Sequence, residues 1–103
     1  MAEFSLQGDI NIAGTVLVTG SSAIPLTKVL TLSFNNPLAY VLTLEKYDAL
    51  TASTIVLYEI TLAAGDTVND TLTYALNAGD TLTVYSDIPG TSYYIYGFDY
   101  ASN

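Results

Sequence analysis

The residues of this chain that could do chemistry are almost all acids. It carries ten Asp and Glu against two bases, and it has no His, Cys or Trp. The bases are Lys28 and Lys46, so Arg is absent. Without imidazole or thiol there is no Ser-His or Cys-His nucleophile and no His or thiolate metal site. Two lysines do not make a phosphate cradle, and no Gly-rich phosphate loop or dinucleotide fingerprint occurs. A carboxylate pair of the kind used in glycoside hydrolysis is what remains. Asp66 and Asp80 are the best such pair, but they would meet only if their turns lay at one end of the fold, and consecutive hairpin turns lie at opposite ends. The expectation is a non-enzymatic protein with no catalytic residue and no cofactor.

Calcium is the next chemistry to weigh. Asp66, Asn69 and Asp70 stand close together, and Asp80 and Asp87 sit on later turns. Ca²⁺ takes six to eight oxygens, which carboxylates and backbone carbonyls of loops can supply. The spacing matches no EF-hand loop. An Asp beside a turn glycine ordinarily caps local backbone N–H groups instead and stays solvated. The acids are therefore read as turn caps, and no metal site is expected.

Tyrosine is the most unusual residue type, with nine copies. The close of the chain reads Tyr93-Tyr94-Ile95-Tyr96, followed by Tyr100. In a strand, alternation puts Tyr94, Tyr96 and Tyr100 on one side and Tyr93 with Ile95 on the other. A tyrosine has a large apolar body and a polar tip, which suits a protein interface. Tyr93, Tyr94, Tyr96 and Tyr100 are the expected interface residues. Thr67, Thr71, Thr73, Thr81 and Thr83 suggest exposed strand surface that avoids charge. A chain this small and apolar is expected to cover surface by forming a homo-oligomer.

Strands have to position these residues. Leu62-Ala63-Ala64-Gly65-Asp66-Thr67-Val68 and Leu76-Asn77-Ala78-Gly79-Asp80-Thr81-Leu82 share one phrase, in which an apolar run stops at Gly and restarts at Thr. That pattern predicts a three-residue hairpin loop, a type I turn ending in a positive-φ residue. Asp87-Ile88-Pro89-Gly90 has the Pro and Gly of a type II turn. Three hairpins in a row predict an antiparallel meander from Thr54 to Tyr100. Upstream, alternation predicts strands over Phe4–Gln7, Ile10–Val18, Thr27–Asn35 and Ala39–Tyr47. Ile10, Ile12, Val16 and Val18 are expected on one face, as are Tyr40, Leu42 and Leu44; over Thr81–Ser86, Leu82 and Val84 are expected opposite Thr81, Thr83 and Tyr85. Gly20–Pro25 reads as a loop. No segment keeps apolar residues at helical spacing. About seven or eight strands with turns between them predict an all-β fold, an antiparallel β-sandwich of jelly-roll or Ig-like type. One domain, 1–103, is expected from the length.

Composition narrows the partners. A formal charge of −8 on 103 residues disfavours nucleic acid and anionic membrane, since affinity for phosphate comes from Lys and Arg. Only 12% of residues are charged while 50% are hydrophobic, which argues for a packed core over disorder. Met1-Ala2-Glu3-Phe4 lacks a basic region followed by an apolar core, so synthesis in the cytosol without Sec export is expected.

The two Gly-Asp-Thr phrases, Ala64-Gly65-Asp66-Thr67-Val68 and Leu76-Asn77-Ala78-Gly79-Asp80-Thr81-Leu82, and Pro89-Gly90-Thr91-Ser92-Tyr93-Tyr94 resemble the small β-sandwich accessory proteins of tailed-phage particles. The resemblance covers roughly the C-terminal forty residues. It implies a virion component: a capsid decoration or cement protein, or a neck or tail accessory. Such proteins commonly work as oligomers, often trimers, over junctions between capsid subunits. It implies the major capsid protein as partner, the virion as location and the host cytoplasm as place of synthesis. The alternative reading is an extracellular calcium-dependent carbohydrate-binding module, with Asp66, Asp70 or Asp80 on calcium and tyrosines on sugar.

Overall fold

The computed structural model of the chain describes residues 2–19 and 26–101. The loop expected over Gly20–Pro25 lies outside the described residues. Eight strands and no helix are described: β1 (Ala2–Asp9), β2 (Thr15–Thr19), β3 (Leu26–Asn35), β4 (Tyr40–Asp48), β5 (Ser53–Leu62), β6 (Thr67–Leu76), β7 (Thr81–Ser86) and β8 (Ser92–Ala101). They form two four-stranded antiparallel sheets, sheet A in the order β1-β8-β3-β6 and sheet B in the order β2-β7-β4-β5. The fold is a β-sandwich. An immunoglobulin-type sandwich keeps its first two strands in one sheet. Here β1 and β2 lie in different sheets, in the double-sheet winding of a jelly roll.

The alternation of apolar residues builds the core between the sheets. Sheet A contributes Leu32, Phe34, Leu76 and Ile95; sheet B contributes Leu17, Val18, Tyr40, Leu42, Leu44, Leu82 and Val84. Each such burial stabilises the fold by about 1.5–3 kcal/mol relative to exposure. The expected faces of β4 and β7 are as observed, with Tyr40, Leu42, Leu44, Leu82 and Val84 all inside.

Two local expectations are corrected. Ile10–Val18 is not one strand. Residues 11–14 form a turn in which Gly14 N–H donates to the Asn11 carbonyl (3.0 Å), and β2 starts only at Thr15. A register shift between Val16 and Val18 then turns both Leu17 and Val18 inward, leaving Val16 and Ile12 exposed. A bulge adds a residue to the count, so alternation read across it fails.

The meander is the second correction. The connections β5–β6, β6–β7 and β7–β8 each cross from one sheet to the other, and β4–β5 is the one hairpin. The Gly-Asp-Thr phrases make tight reversals, but of another type than expected. Asp66 N–H donates to the Ala63 carbonyl (3.1 Å), and Asp80 N–H to the Asn77 carbonyl (3.0 Å). Gly65 (φ 80°) and Gly79 (φ 87°) therefore sit third in each turn, as in type II. Such a turn reverses the chain without deciding which sheet receives the next strand.

Buried polar side chains hold one end of the sandwich. Asn36 Nδ2 donates to the Pro89 carbonyl (3.1 Å) and to Thr91 Oγ1 (2.8 Å), and its Oδ1 accepts from Leu38 N–H (2.9 Å). Ser86 Oγ donates to the Ile88 carbonyl (3.0 Å). Its one proton is then spent, so Thr91 donates across the 2.6 Å contact between the two hydroxyls. Tyr40 OH reaches the carbonyls of Phe34 (3.2 Å) and Asp66 (2.9 Å), tying β4 to sheet A. Burial, and next the charge of Asp66, push the Tyr40 phenol above its ordinary value.

The two phrase glycines give a test of this packing. A Cβ at Gly65 would meet nothing within 4 Å, whereas one at Gly79 would lie 2.9 Å from Ala49 Cβ. Gly65→Ala should cost about 1–2 kcal/mol, from positive φ alone. Gly79→Ala should cost about 1 kcal/mol more, from the added crowding. Urea denaturation of the two variants checks this, and equal losses would show that the 77–80 turn does not pack on residue 49.

Candidate functional site

The predicted acids are not brought together. Asp66 precedes and Asp80 follows the ten-residue β6. At about 3.3 Å per residue they stand roughly 30 Å apart, far beyond any hydrolytic pair. Asn69 is exposed on β6, and Asp70 is half-buried opposite Leu32. Asp87 Oδ1 accepts from Val41 N–H (2.7 Å), while Asp87 N–H donates to the Val41 carbonyl (3.2 Å). This reciprocal pair fastens the β7–β8 connection to β4. Among the described residues no three acidic side chains lie close enough to hold a metal ion.

Asp80 has a structural role that spacing did not reveal. Its side chain is only 1% exposed. Oδ1 accepts from Ala49 N–H (2.9 Å), and Oδ2 accepts from Asn77 N–H (3.0 Å) with Lys46 Nζ at 3.7 Å. One carboxylate thus closes its own turn and clamps the β4–β5 turn beside it. The Ala49 N–H is the largest cause holding its pKa below the ordinary 3.8; burial opposes this, and Asn77 and Lys46 add to the lowering. Asp80 was expected to be a solvated cap. It caps its turn as expected, but from inside, where an ionised carboxylate survives because both oxygens are bonded.

Two of the four tyrosines expected at an interface, Tyr94 and Tyr96, share one surface. β8 is internal to sheet A, paired with β1 on one side and β3 on the other. Ile95 is buried, so Tyr94 and Tyr96 take the outer face, Tyr94 being 44% exposed. Tyr93 takes the other face and packs against the core beside Gly8. Tyr100 lies opposite Thr27 in the β3–β8 register; its side chain lies outside the described residues.

Register assembles the rest of this face. One row reads Gln7, Tyr94, Ser33, Asn69; the next reads Ser5, Tyr96, Thr31, Thr71; a third reads Asp9, Ser92, Asn35, Thr67. Asp9 is the one charged residue in these rows. Thr31 and Thr71 hydroxyls stand 3.5 Å apart across the strands. The threonines Thr67 and Thr71 lie on this face, whereas Thr81 and Thr83 lie on the outer face of sheet B; the Thr73 side chain is outside the described residues. At the Asp9 end of the sheet A face a shallow depression of about 370 Å³ is lined by Gln7, Gly8, Asp9, Ser33, Asn35, Ser92, Tyr93 and Tyr94. The contributions of β1 and β3 escaped sequence reasoning, because alternation tells which way a side chain points but not which strand lies next to it.

The Asp80 clamp makes stability depend on acid in a defined way. Its folded pKa is lowered, so its contribution is complete above the unfolded value of 3.8 and is lost as pH falls through the folded value beneath it. Asp80→Asn should cost about 2 kcal/mol at neutral pH. The variant should also lose less stability than the parent between neutral and acid solution. Urea midpoints at the two conditions measure this, and parallel losses would contradict the clamp.

Set beside known proteins, this chain matches no protein-family model, no curated protein and no solved structure.

Proposed function

We propose that this protein is a non-enzymatic structural component of a virion, a capsid decoration or cement protein that stabilises a tailed-phage head by binding its major capsid protein. The observation that carries the reading is the outer face of sheet A. The three rows whose side chains are described hold hydroxyls, amides and two tyrosines with one carboxylate at the end. Tyrosine supplies rigid contact area at low entropy cost, and Ser, Thr and Asn supply adaptable hydrogen bonds, the mixture that binding surfaces favour. Long charged side chains, which are costly to immobilise and desolvate, are absent from those rows, whose one charge is on the short Asp9.

Two further points support the reading by analogy. The Gly-Asp-Thr and Pro-Gly-Thr-Ser-Tyr-Tyr phrases resemble phage accessory proteins. Jelly rolls also recur in viral capsids, though the same architecture serves lectins, so fold alone does not choose between them. The carbohydrate alternative relied on calcium held by Asp66, Asp70 or Asp80, and Asp80 is already committed to Ala49, Asn77 and Lys46. A neck or tail accessory would use the same kind of face at another place on the particle.

The contact runs through the face of β8, since this strand has no free edge. Purified protein should scatter light as an oligomer of the 11.0 kDa chain and co-sediment with phage particles. Replacing Tyr94 and Tyr96 with Ala should weaken particle binding at least about tenfold, because buried aromatic anchors dominate such contacts. Unchanged mass together with unchanged particle binding would remove this face from the contact. Failure to associate with any particle would remove the virion reading, and immunogold labelling would separate head from neck and tail.

A further inference from the structure

The depression at the Asp9 end of the sheet A face has a hydrogen-bonding sense. Asn35 Nδ2 lies within reach of the Gly65 carbonyl (3.0 Å), the Asp66 carbonyl (3.3 Å) and Thr67 Oγ1 (2.8 Å), so both amide protons are spent and Oδ1 remains. Ser92 Oγ donates to the Asn35 carbonyl (3.3 Å), leaving its lone pairs. Asp9 is an exposed carboxylate. Three of the polar groups lining the depression thus offer acceptors, one of them charged, while Gln7, Ser33 and the hydroxyls of Tyr93 and Tyr94 can donate. The half-exposed Tyr94 ring stands beside them.

Acceptors next to an aromatic ring are the complement of a planar cation. A guanidinium has five N–H donors and no acceptor, pairs with a carboxylate and stacks on aromatic faces. A saccharide is uncharged and would meet the Asp9 carboxylate only with neutral hydroxyls, a weaker pairing than a charge-assisted one. The net charge of −8 further favours a cationic visitor. The occupant cannot be another copy of this chain offering a guanidinium, because the chain has no Arg. Lys46, one of its two bases, is held at Asp80.

We propose that this depression seats an arginine side chain from a loop of a different protein, with Asp9 and Asn35 Oδ1 accepting its N–H groups and Tyr94 flanking its plane. This rests on the reading that the sheet A face meets another protein, and it names the anchor of that contact. It also divides the face: the arginine seat faces the heterologous partner, and any contact between copies uses other residues.

The test is an ¹⁵N NMR titration of the whole chain at low salt with N-acetyl-arginine amide, its neutral isostere N-acetyl-citrulline amide, and maltose. The arginine probe should shift the amides of Gln7, Asp9, Asn35, Ser92 and Tyr94, and added salt should weaken it. Asp9→Asn and Tyr94→Ala should each weaken it at least about threefold, while Tyr94→Phe keeps the ring and the binding. Spectra of the unliganded variants establish that they are folded. Equal binding of the citrulline probe, shifts with maltose alone, or no shift with arginine would overturn the proposal. Particle co-sedimentation separates the two ideas. Particles that bind Asp9→Asn normally, with no arginine shifts, defeat the seat and leave the virion reading. Arginine shifts without particle binding support the seat and defeat that reading.

Discussion

The constraint on which this structure depends is that the chain keeps changing sheets. Every connection except β4–β5 carries it across the sandwich. A hairpin turn is closed by the ladder of its own two strands. A crossing turn is flanked by strands that do not pair, so its backbone N–H and C=O groups need partners from elsewhere. Side chains provide them. Asp80 takes the Asn77 N–H of its own crossing and anchors it to the Ala49 N–H of the β4–β5 turn, Asp87 anchors the 87–91 crossing to the Val41 N–H of β4, and Asn35 and Tyr40 donate to the backbone of the 63–66 turn. Asn36 joins the 36–39 and 87–91 connections.

This explains how a domain with so few charges stays ordered. The polar side chains that matter to the fold are concentrated at the two ends, where crossings occur. The interior is left to Leu, Ile, Val, Phe and Tyr. Asp80 and Lys46 do at one end, with charge, what Asn36, Ser86 and Thr91 do at the other without it. Apart from Asn35, which braces the 63–66 turn, the described rows of the outer face of sheet A carry short hydroxyls, amides and tyrosines. A face of this composition does little for solubility. It does much for a protein that is to be covered, because little side-chain entropy is lost and few charges must be stripped of water.

The turn residues had a double meaning that bears on reading other β-sandwiches. Gly65 and Gly79 adopt the positive φ their setting suggests. Yet the same Gly-Asp-Thr phrase that fits a hairpin also fits a crossing, because a type II reversal is shorter than any information about sheet membership. Asp80 shows the companion error. Beside a turn glycine an Asp ordinarily caps in solvent, and here the Ala49 turn folds over it and excludes water.

The sequence by itself determined what is local: strands against helices, the inward residues of β4 and β7, the positive-φ glycines, and Tyr94 and Tyr96 on the side opposite Tyr93. Each depends on period-two alternation or on one residue's allowed φ, which a few neighbouring residues specify. Only the tertiary structure decided the jelly-roll winding, the burial of Asp80, the break of alternation at Val16 and the joining of β1, β8, β3 and β6 into one face. Those depend on which strands hydrogen-bond across long separations, such as Ser5 with Tyr96 or Thr31 with Thr71, and the total free energy of the packed chain settles that pairing.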